Sequence, residues 1–353
     1  MKTEGKLKKI IGFTLKLLIA GGIVAFLVHR NRQGICNCFQ HFDYRYLIPA
    51  IFFYMAHLVV CAWRWRELAG ILGVRLSRME ALSLTFQGCF FSLVIPAGAI
   101  GGDIVKMGAI SRRSAAGTKV EGAFTVLMDR IIGMIALFAL ELAIIVPAIP
   151  ILMNVSIAGM QLGDHTRKLG IWLLVLLAVA GLLASSAIFF HRIIERIPLL
   201  GMLMNKADAL THGTVGRMTD ATDVYSGSWK KLSLLTLASI PLVHLMTVVP
   251  MLFLLSGLGA EYRVFDVVVA VTIGNIIGLI PIFPSGIGGR DIAFTALLAA
   301  SGTPESAADT AQLLYTGILV LSTLPGMIFF LADPGRKLQN GDVPNRKEPM
   351  HHE

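Results

Sequence analysis

The 353-residue chain is 55% hydrophobic and only 15% charged, with a mean hydropathy of +0.71. Soluble globular chains carry about 25% charged residues, so this composition excludes that class and makes the bilayer the solvent. A β-barrel would alternate over segments of about ten residues, and the net charge of +9 is dispersed through short loops, as orientation signals beside anionic lipid are, rather than gathered into a nucleic-acid-binding domain.

The basic stretch Met1–Lys9 precedes an apolar run, Ile10–Val28. No small-x-small cleavage site follows it, so it reads as an uncleaved first crossing, with Lys16 near enough to an end to snorkel. Cys36 and Cys38 are too close for an ordinary structural disulfide and have no second ligand pair for zinc; Cys61 and Cys89 fall in apolar runs and are expected to pack. Further apolar blocks occupy Tyr46–Trp63, Met79–Ile100, Gly122–Ile149, Leu169–Phe190, Leu232–Leu255, Val264–Ile282 and Ala308–Leu331. Trp63, Arg64, Trp65 and Arg66 read as an interfacial anchor. The segment from Phe190 to Leu232 is a cytoplasmic connector, or an interfacial amphipathic helix around Ile193–Lys206.

Positive charge fixes the orientation. Lys2, Lys6, Lys8 and Lys9 hold the N-terminus in the cytoplasm, and Arg336, Lys337, Arg346 and Lys347 do the same for the C-terminus. Basic groups at Arg64–Arg78 and at Arg112–Lys119 also belong inside, yet a single apolar block separates them. A re-entrant hairpin at about 79–112, broken at Pro96–Gly102, resolves this; a second, at about 264–301, enters from the opposite face. The arms entering each hairpin span roughly 26 to 28 Å at 1.5 Å per residue, long for half-helices, so strong tilt or one full crossing is the alternative.

The expected architecture is therefore all-α: about six full crossings plus two re-entrant helical hairpins arranged as an inverted repeat. Residues 1–165 form the first repeat, 166–333 the second, and 334–353 a disordered cytoplasmic tail. The two breaks read alike. Pro96, Gly98, Gly101 and Gly102 lead into Asp103 in the first; Pro284, Gly286, Gly288 and Gly289 lead into Arg290 and Asp291 in the second. Broken backbone at membrane depth survives only where protein or a water-filled cavity satisfies it, and matched breaks in two halves point to a transporter.

The candidate binding residues follow from charge at membrane depth. Asp103, with Lys106 three residues on, and Asp291 either cap the returning helices or present helix N-termini to an anion. Asp129 and Arg130 lie inside the fourth block, where charge is costly and demands partners; Asp103 is the candidate for Arg130, and Lys106 or Arg290 for Asp129. The cluster is either a structural ion-pair network or a basic pocket for a lipid phosphate. Glu141 and His244 are expected to bond backbone groups. No catalytic constellation, metal site or cofactor motif is present, so a non-enzymatic role without cofactor is expected.

The run Phe86-x9-Pro96-x-Gly98-x-x-Gly101-Gly102-Asp103-x-x-Lys106, then Arg112-Arg113, then Asp129-Arg130-x-x-Gly133 resembles the lysylphosphatidylglycerol synthase transmembrane family. Pro281-x-x-Pro284-x-Gly286-x-Gly288-x-x-Asp291 resembles its later element, and the resemblance spans most of residues 8–333. It implies a flippase-like domain of a bacterial or archaeal plasma membrane. The chain ends about twenty residues after its last helix, so no synthase domain is expected and lysyl transfer is not carried over. Lys106 stands where arginine is common and Asp291 where glutamate is common, which leaves the headgroup open: Lys makes no planar bidentate phosphate contact.

The expected function is translocation of a phosphate-containing lipid, aminoacylated or glycosylated, between leaflets. The alternatives are an ion-coupled carrier of a small anion and a membrane component of lipid-linked glycan or envelope-lipid synthesis. Expected partners are the lipid substrate, the anionic bilayer and a homo-oligomeric copy, with no nucleic acid.

Overall fold

The computed structural model describes residues 29, 32–95, 100–113, 118–157, 160–192, 196, 197, 202, 206, 208–211, 213–280 and 284–332. The crossing expected at Ile10–Val28, Lys16, Pro96, Gly98, Pro281, most of the Ile193–Lys206 segment and the 334–353 tail lie outside the described residues.

The described chain is all-α apart from a two-residue β-ladder. The helices are α1 (Arg32–His41), α2 (Leu47–Ile71), α3 (Arg78–Val94), α4 (Ile100–Arg113), α5 (Lys119–Leu152), α6 (Asp164–Ala187), α7 (Thr214–Gly227), α8 (Trp229–Ser239), α9 (Val248–Gly257), α10 (Val264–Ile277), α11 (Gly289–Ala300) and α12 (Glu305–Ala332). Strands Ser156–Ile157 and Met160–Gln161 pair antiparallel between α5 and α6. Five helical stretches among the described residues are long and apolar enough to cross a membrane: Tyr44–Ile71, Lys119–Leu152, Asp164–Phe190, Trp229–Gly257 and Glu305–Ala332. They coincide with the five full crossings expected after the first. The chain is a multi-pass helical membrane protein.

Local chemistry sets the helix limits. Ser77 and Glu80 form a capping box at the start of α3, each side chain bonding the other's backbone amide at 3.2 and 2.9 Å; this satisfies two otherwise orphaned donors. Pro241 lacks a donor N–H, and there the Trp229–Gly257 helix widens into a π turn at Ile240–His244, Leu245 N–H bonding the Ile240 carbonyl. π-bulges of this kind recur at functional sites.

Blocks expected at Met79–Ile100 and Val264–Ile282 resolve into shorter helices. α3 ends at Val94 in extended backbone at Ile95, so Ile100 belongs to the returning helix rather than to the arm before it. α10 ends at Ile277, where the Gly278 N–H closes on Gly274 and Ile276 carbonyls. At 17, 14, 14 and 12 residues, the four hairpin arms are about 18–26 Å long at 1.5 Å per residue, against about 30 Å of hydrocarbon. Two helices were not anticipated. α1 packs against α12, and α7 sits within the expected connector, held to α5 by Glu121–Arg217 at 2.6 Å and by Phe124 against Tyr225. Asp223 of α7 takes a hydrogen bond from Arg192 at 2.8 Å, which holds its carboxyl below the usual aspartate range.

The two halves pack by the same scheme. In each, the arms of the hairpin (α3 with α4, α10 with α11) pack together, the first arm rests on the preceding crossing (α2, α9), and the returning arm rests on the following one (α5, α12). Each first arm also packs on the last crossing of the other half, α3 on α12 and α10 on α5. Lipid offers little hydrophobic drive for helix association, so close approach by small residues matters. A Cβ on Gly102 would strike the Gly88 carbonyl and Ser92 Oγ, and one on Gly326 would strike the Phe86 carbonyl; backbone meets backbone at both places. The largest buried apolar cluster, which includes Tyr54, Phe86, Met251, Phe294 and Tyr315, ties both halves together. α6 packs along α5 and is otherwise little covered, with only 11% of its most apolar window buried.

Candidate functional site

Between the hairpins lies a cavity of about 350 Å³, lined from α2, α3, α4, α5, the π turn, α10, α11 and α12. Five of the six expected binding residues line it: Asp103, Lys106, Asp129, Arg130 and Arg290. The sixth, Asp291, is buried directly behind Arg290. The 3₁₀ turn Pro284–Gly286 of the second hairpin packs against α3 of the first, and its Ser285 lines the chamber. Gly101 and Gly102 are not themselves the break; they occupy the first turn of α4. In the second hairpin the sharp reversal runs through left-handed backbone, φ +77° at Gly286 and +99° at Gly288, with Ser285 at +47°; the glycines are needed because a Cβ is disfavoured there. Gly289 is the buried first residue of α11.

The charges are paired in a definite order. Arg130 Nε and Nη2 donate to Asp103 Oδ2 at 2.8 and 2.6 Å, the pairing expected. Lys106 Nζ lies 3.9 Å from Asp129 Oδ2, also as expected, but the nearer partner of Asp129 is Arg64. Arg64 Nε donates to Asp129 Oδ1 at 2.8 Å, Nη2 to the Asp129 carbonyl at 3.2 Å, and Nη1 to Ser239 Oγ at 3.1 Å. Gly133, one turn beyond Asp129, makes room for this guanidinium: a Cβ there would lie 3.2 Å from Arg64 Nη2.

The interfacial-anchor reading of Arg64 and Trp65 is therefore corrected. Both are buried, and Trp65 donates its indole N–H to Thr125 Oγ1 at 3.0 Å while Lys106 Nζ sits 3.7 Å above its ring. Trp63 stays exposed. A usable signal lay in the spacing Tyr54, His57, Cys61, Arg64, a polar line at helical period through an apolar block. All four line the cavity, as do Cys89 and His244; Cys61 and Cys89 thus border the chamber rather than simply filling the core. His57 and Cys61 are neighbours, Nε2 to Sγ 3.8 Å.

Asp291 is a capping residue, as one of its two readings expected. Its Oδ2 accepts the Gly288 N–H at 3.0 Å, while Oδ1 accepts from Gln312 Nε2 at 2.5 Å and Thr316 Oγ1 at 3.0 Å. Asp103 lies inside the first turn of α4 and engages Arg130. His244 bonds backbone as expected, Nε2–H donating to the Gly133 carbonyl at 3.0 Å. Glu141 does not: its carboxylate is buried with neither oxygen hydrogen-bonded. Among the described residues no group of three or more His, Cys, Asp or Glu side chains could hold a metal ion.

Fold and cavity together define a polytopic helical membrane protein with a charged chamber at the junction of two broken helical hairpins. The family described as "Lysylphosphatidylglycerol synthase TM region" matches residues 13–326, and the chain belongs to it. A UPF0104 membrane protein of Pyrococcus horikoshii is 21% identical over 304 residues, covering 84% of this chain and 90% of that protein.

Proposed function

We propose that the protein translocates a phosphate-containing lipid between leaflets, its headgroup passing through the charged cavity while the acyl chains stay in lipid. The observation that carries this reading is the chamber of about 350 Å³ in which Asp103, Lys106, Asp129, Arg130 and Arg290 converge from both halves. Intramembrane charge is retained where it serves a substrate path, and the family's own description concerns a lipid. The duplicated packing scheme, with arms too short to span, supports two re-entrant hairpins in an inverted repeat, residues 1–165 and 166–333. Basic loops support a plasma-membrane protein of a bacterium or archaeon with both termini in the cytoplasm. The role is non-enzymatic, and assembly with a second copy belongs to the same proposal.

Reconstitution into liposomes carrying a fluorescent phospholipid, read by reduction of dye in the outer leaflet, tests it. Wild-type protein should equilibrate the label between leaflets, and the double variant Arg130→Gln/Arg290→Gln, with normal expression and folding, should slow it severely. Full transport by that variant would remove the cavity from the path.

A further inference from the structure

We infer that Arg290 is the anion-recognition residue of the cavity, and that its ligand is a singly charged phosphate ester whose remaining headgroup carries no net positive charge. Two other cations on the cavity wall are hydrogen-bonded to carboxylates, Arg64 to Asp129 and Arg130 to Asp103, and Lys106 lies 3.9 Å from Asp129 with its Nζ 3.7 Å over the Trp65 ring. Arg290 is different. Its side chain is 7% exposed and lines the cavity, yet Nε and Nη2 are buried with no hydrogen-bond partner. Asp291 is the nearest carboxylate, 3.9 Å from Nη2. That is beyond hydrogen-bond reach, and its oxygens are held by Gly288, Gln312 and Thr316.

Rings of Phe294 and Tyr315 lie 5.8 and 5.7 Å from the guanidinium carbon. They support the cation electrostatically but accept none of its N–H bonds. A buried guanidinium with unspent donors is costly to keep, and two oxygens of a tetrahedral phosphate can accept bidentately from its planar fork. Arg290 is also the second residue of α11, a 12-residue helix whose N-terminal amides favour an anion at the same place.

Charge balance names the ligand class. Arg64, Lys106, Arg130 and Arg290 face Asp103, Asp129 and Asp291, four cations against three carboxylates. The surplus of one positive charge complements one phosphodiester and repels a headgroup that is itself cationic, such as an aminoacylated one. Ser285, Asn275 and Thr323 on the same wall offer hydroxyl and amide groups suited to an uncharged polar headgroup. The lipid form of this ligand rests on the translocator reading; the anion site at Arg290 does not.

The test uses the full chain in phosphatidylcholine nanodiscs, titrated with phosphatidylglycerol, aminoacylated phosphatidylglycerol, glycerol phosphate or inorganic phosphate, with binding read by thermal shift and native mass spectrometry. Phosphatidylglycerol should bind wild type and bind Arg290→Gln roughly tenfold to hundredfold more weakly, with partial recovery in Arg290→Lys. In neutral detergent without anionic lipid, Arg290→Gln should melt no lower than wild type, because it removes an unsatisfied charge. Unchanged phosphatidylglycerol affinity in Arg290→Gln, a lipid-free melting loss as large as that of Asp129→Asn, or tighter binding of the aminoacylated lipid would each overturn the inference. Glycerol phosphate or inorganic phosphate binding as tightly as the lipid, and still dependent on Arg290, would keep the anion site and assign it a soluble source. Binding with no lipid movement in liposomes would leave the site standing and remove the translocator reading alone.

Discussion

Asp129→Asn should be the most damaging conservative substitution in the chamber. The carboxylate is 14% exposed and holds Arg64, itself 7% exposed, at 2.8 Å with Lys106 at 3.9 Å. Removing one member of a buried pair costs about 3–5 kcal/mol, because the remaining charge is left uncompensated. Arg64 keeps bonds to the Asp129 carbonyl and Ser239 Oγ, so the lower end, about 3 kcal/mol, applies. Asp103→Asn provides the internal control: its pair with Arg130 is 26% and 33% exposed, and water screening brings the loss down to about 1 kcal/mol. Denaturant unfolding in mild detergent measures both, and a cycle of Asp129→Asn, Arg64→Met and the double variant Arg64→Met/Asp129→Asn isolates the coupling, the double variant losing less than the sum of the two single losses. If Asp129→Asn unfolded within about 0.5 kcal/mol of wild type, or the cycle gave no coupling, Arg64 and Asp129 would not form the buried pair described.

Other expectations concern single contacts. Gly102→Ala places a methyl on the Gly88 carbonyl and Ser92 Oγ, neither of which can yield without parting the hairpin, and should cost about 1–3 kcal/mol in the same unfolding assay. Gly133→Ala meets only the mobile end of Arg64 and should cost about 1 kcal/mol or less, whereas Gly133→Leu should mimic loss of the Arg64–Asp129 pair. Glu141→Met removes a buried carboxyl lacking hydrogen bonds and should raise stability by about 1–3 kcal/mol; a loss would mean that the carboxylate has a stabilising partner. Cys61 and Cys89 line the cavity, so a small maleimide should label them in wild type more slowly once phosphatidylglycerol is present, and an unaltered labelling rate would place the lipid elsewhere.

The crossings were readable because continuous apolar runs in a bilayer allow few other outcomes; Gly122–Ile149, for example, lies within α5 at Lys119–Leu152. The hairpin residues were readable because glycine and proline inside apolar runs have few uses there. Arg64 was not, since a cation beside tryptophans at the end of an apolar block looks the same whether it snorkels outward or turns in, and α2 runs on to Ile71. The deciding contact, Asp129, lies 65 positions away. α7 escaped notice for a related reason: its apolar stripe is short, Met218, Ala221 and Tyr225, and the helix is held besides by Glu121–Arg217 and by Tyr225 donating to the Leu68 carbonyl. The partnering of Asp103 with Arg130 could be anticipated because intramembrane charges must find one another. That Arg290 Nε and Nη2 lack hydrogen-bond partners could not, because it depends on how Gln312 and Thr316 occupy Asp291.

The run Asp129-Arg130-x-x-Gly133 acquires a physical meaning from these contacts. Asp129 and Gly133 lie one turn apart on the same face of α5, so the carboxylate binds Arg64 while the missing side chain lets its guanidinium lie flat against the helix. Arg130, about 100° round the helix, points to a different element and grips Asp103 at the start of α4. Four charged residues therefore tie α2, α4 and α5 together where lipid offers little hydrophobic drive for association. The second hairpin is held differently. Asp291 locks α11 to α12 through neutral donors, so its adjacent arginine is not consumed by the scaffold. The first half sets Arg64 and Arg130 against carboxylates, whereas Arg290 of the second keeps two buried donors without partners, so the charge of the cavity they share is unevenly engaged.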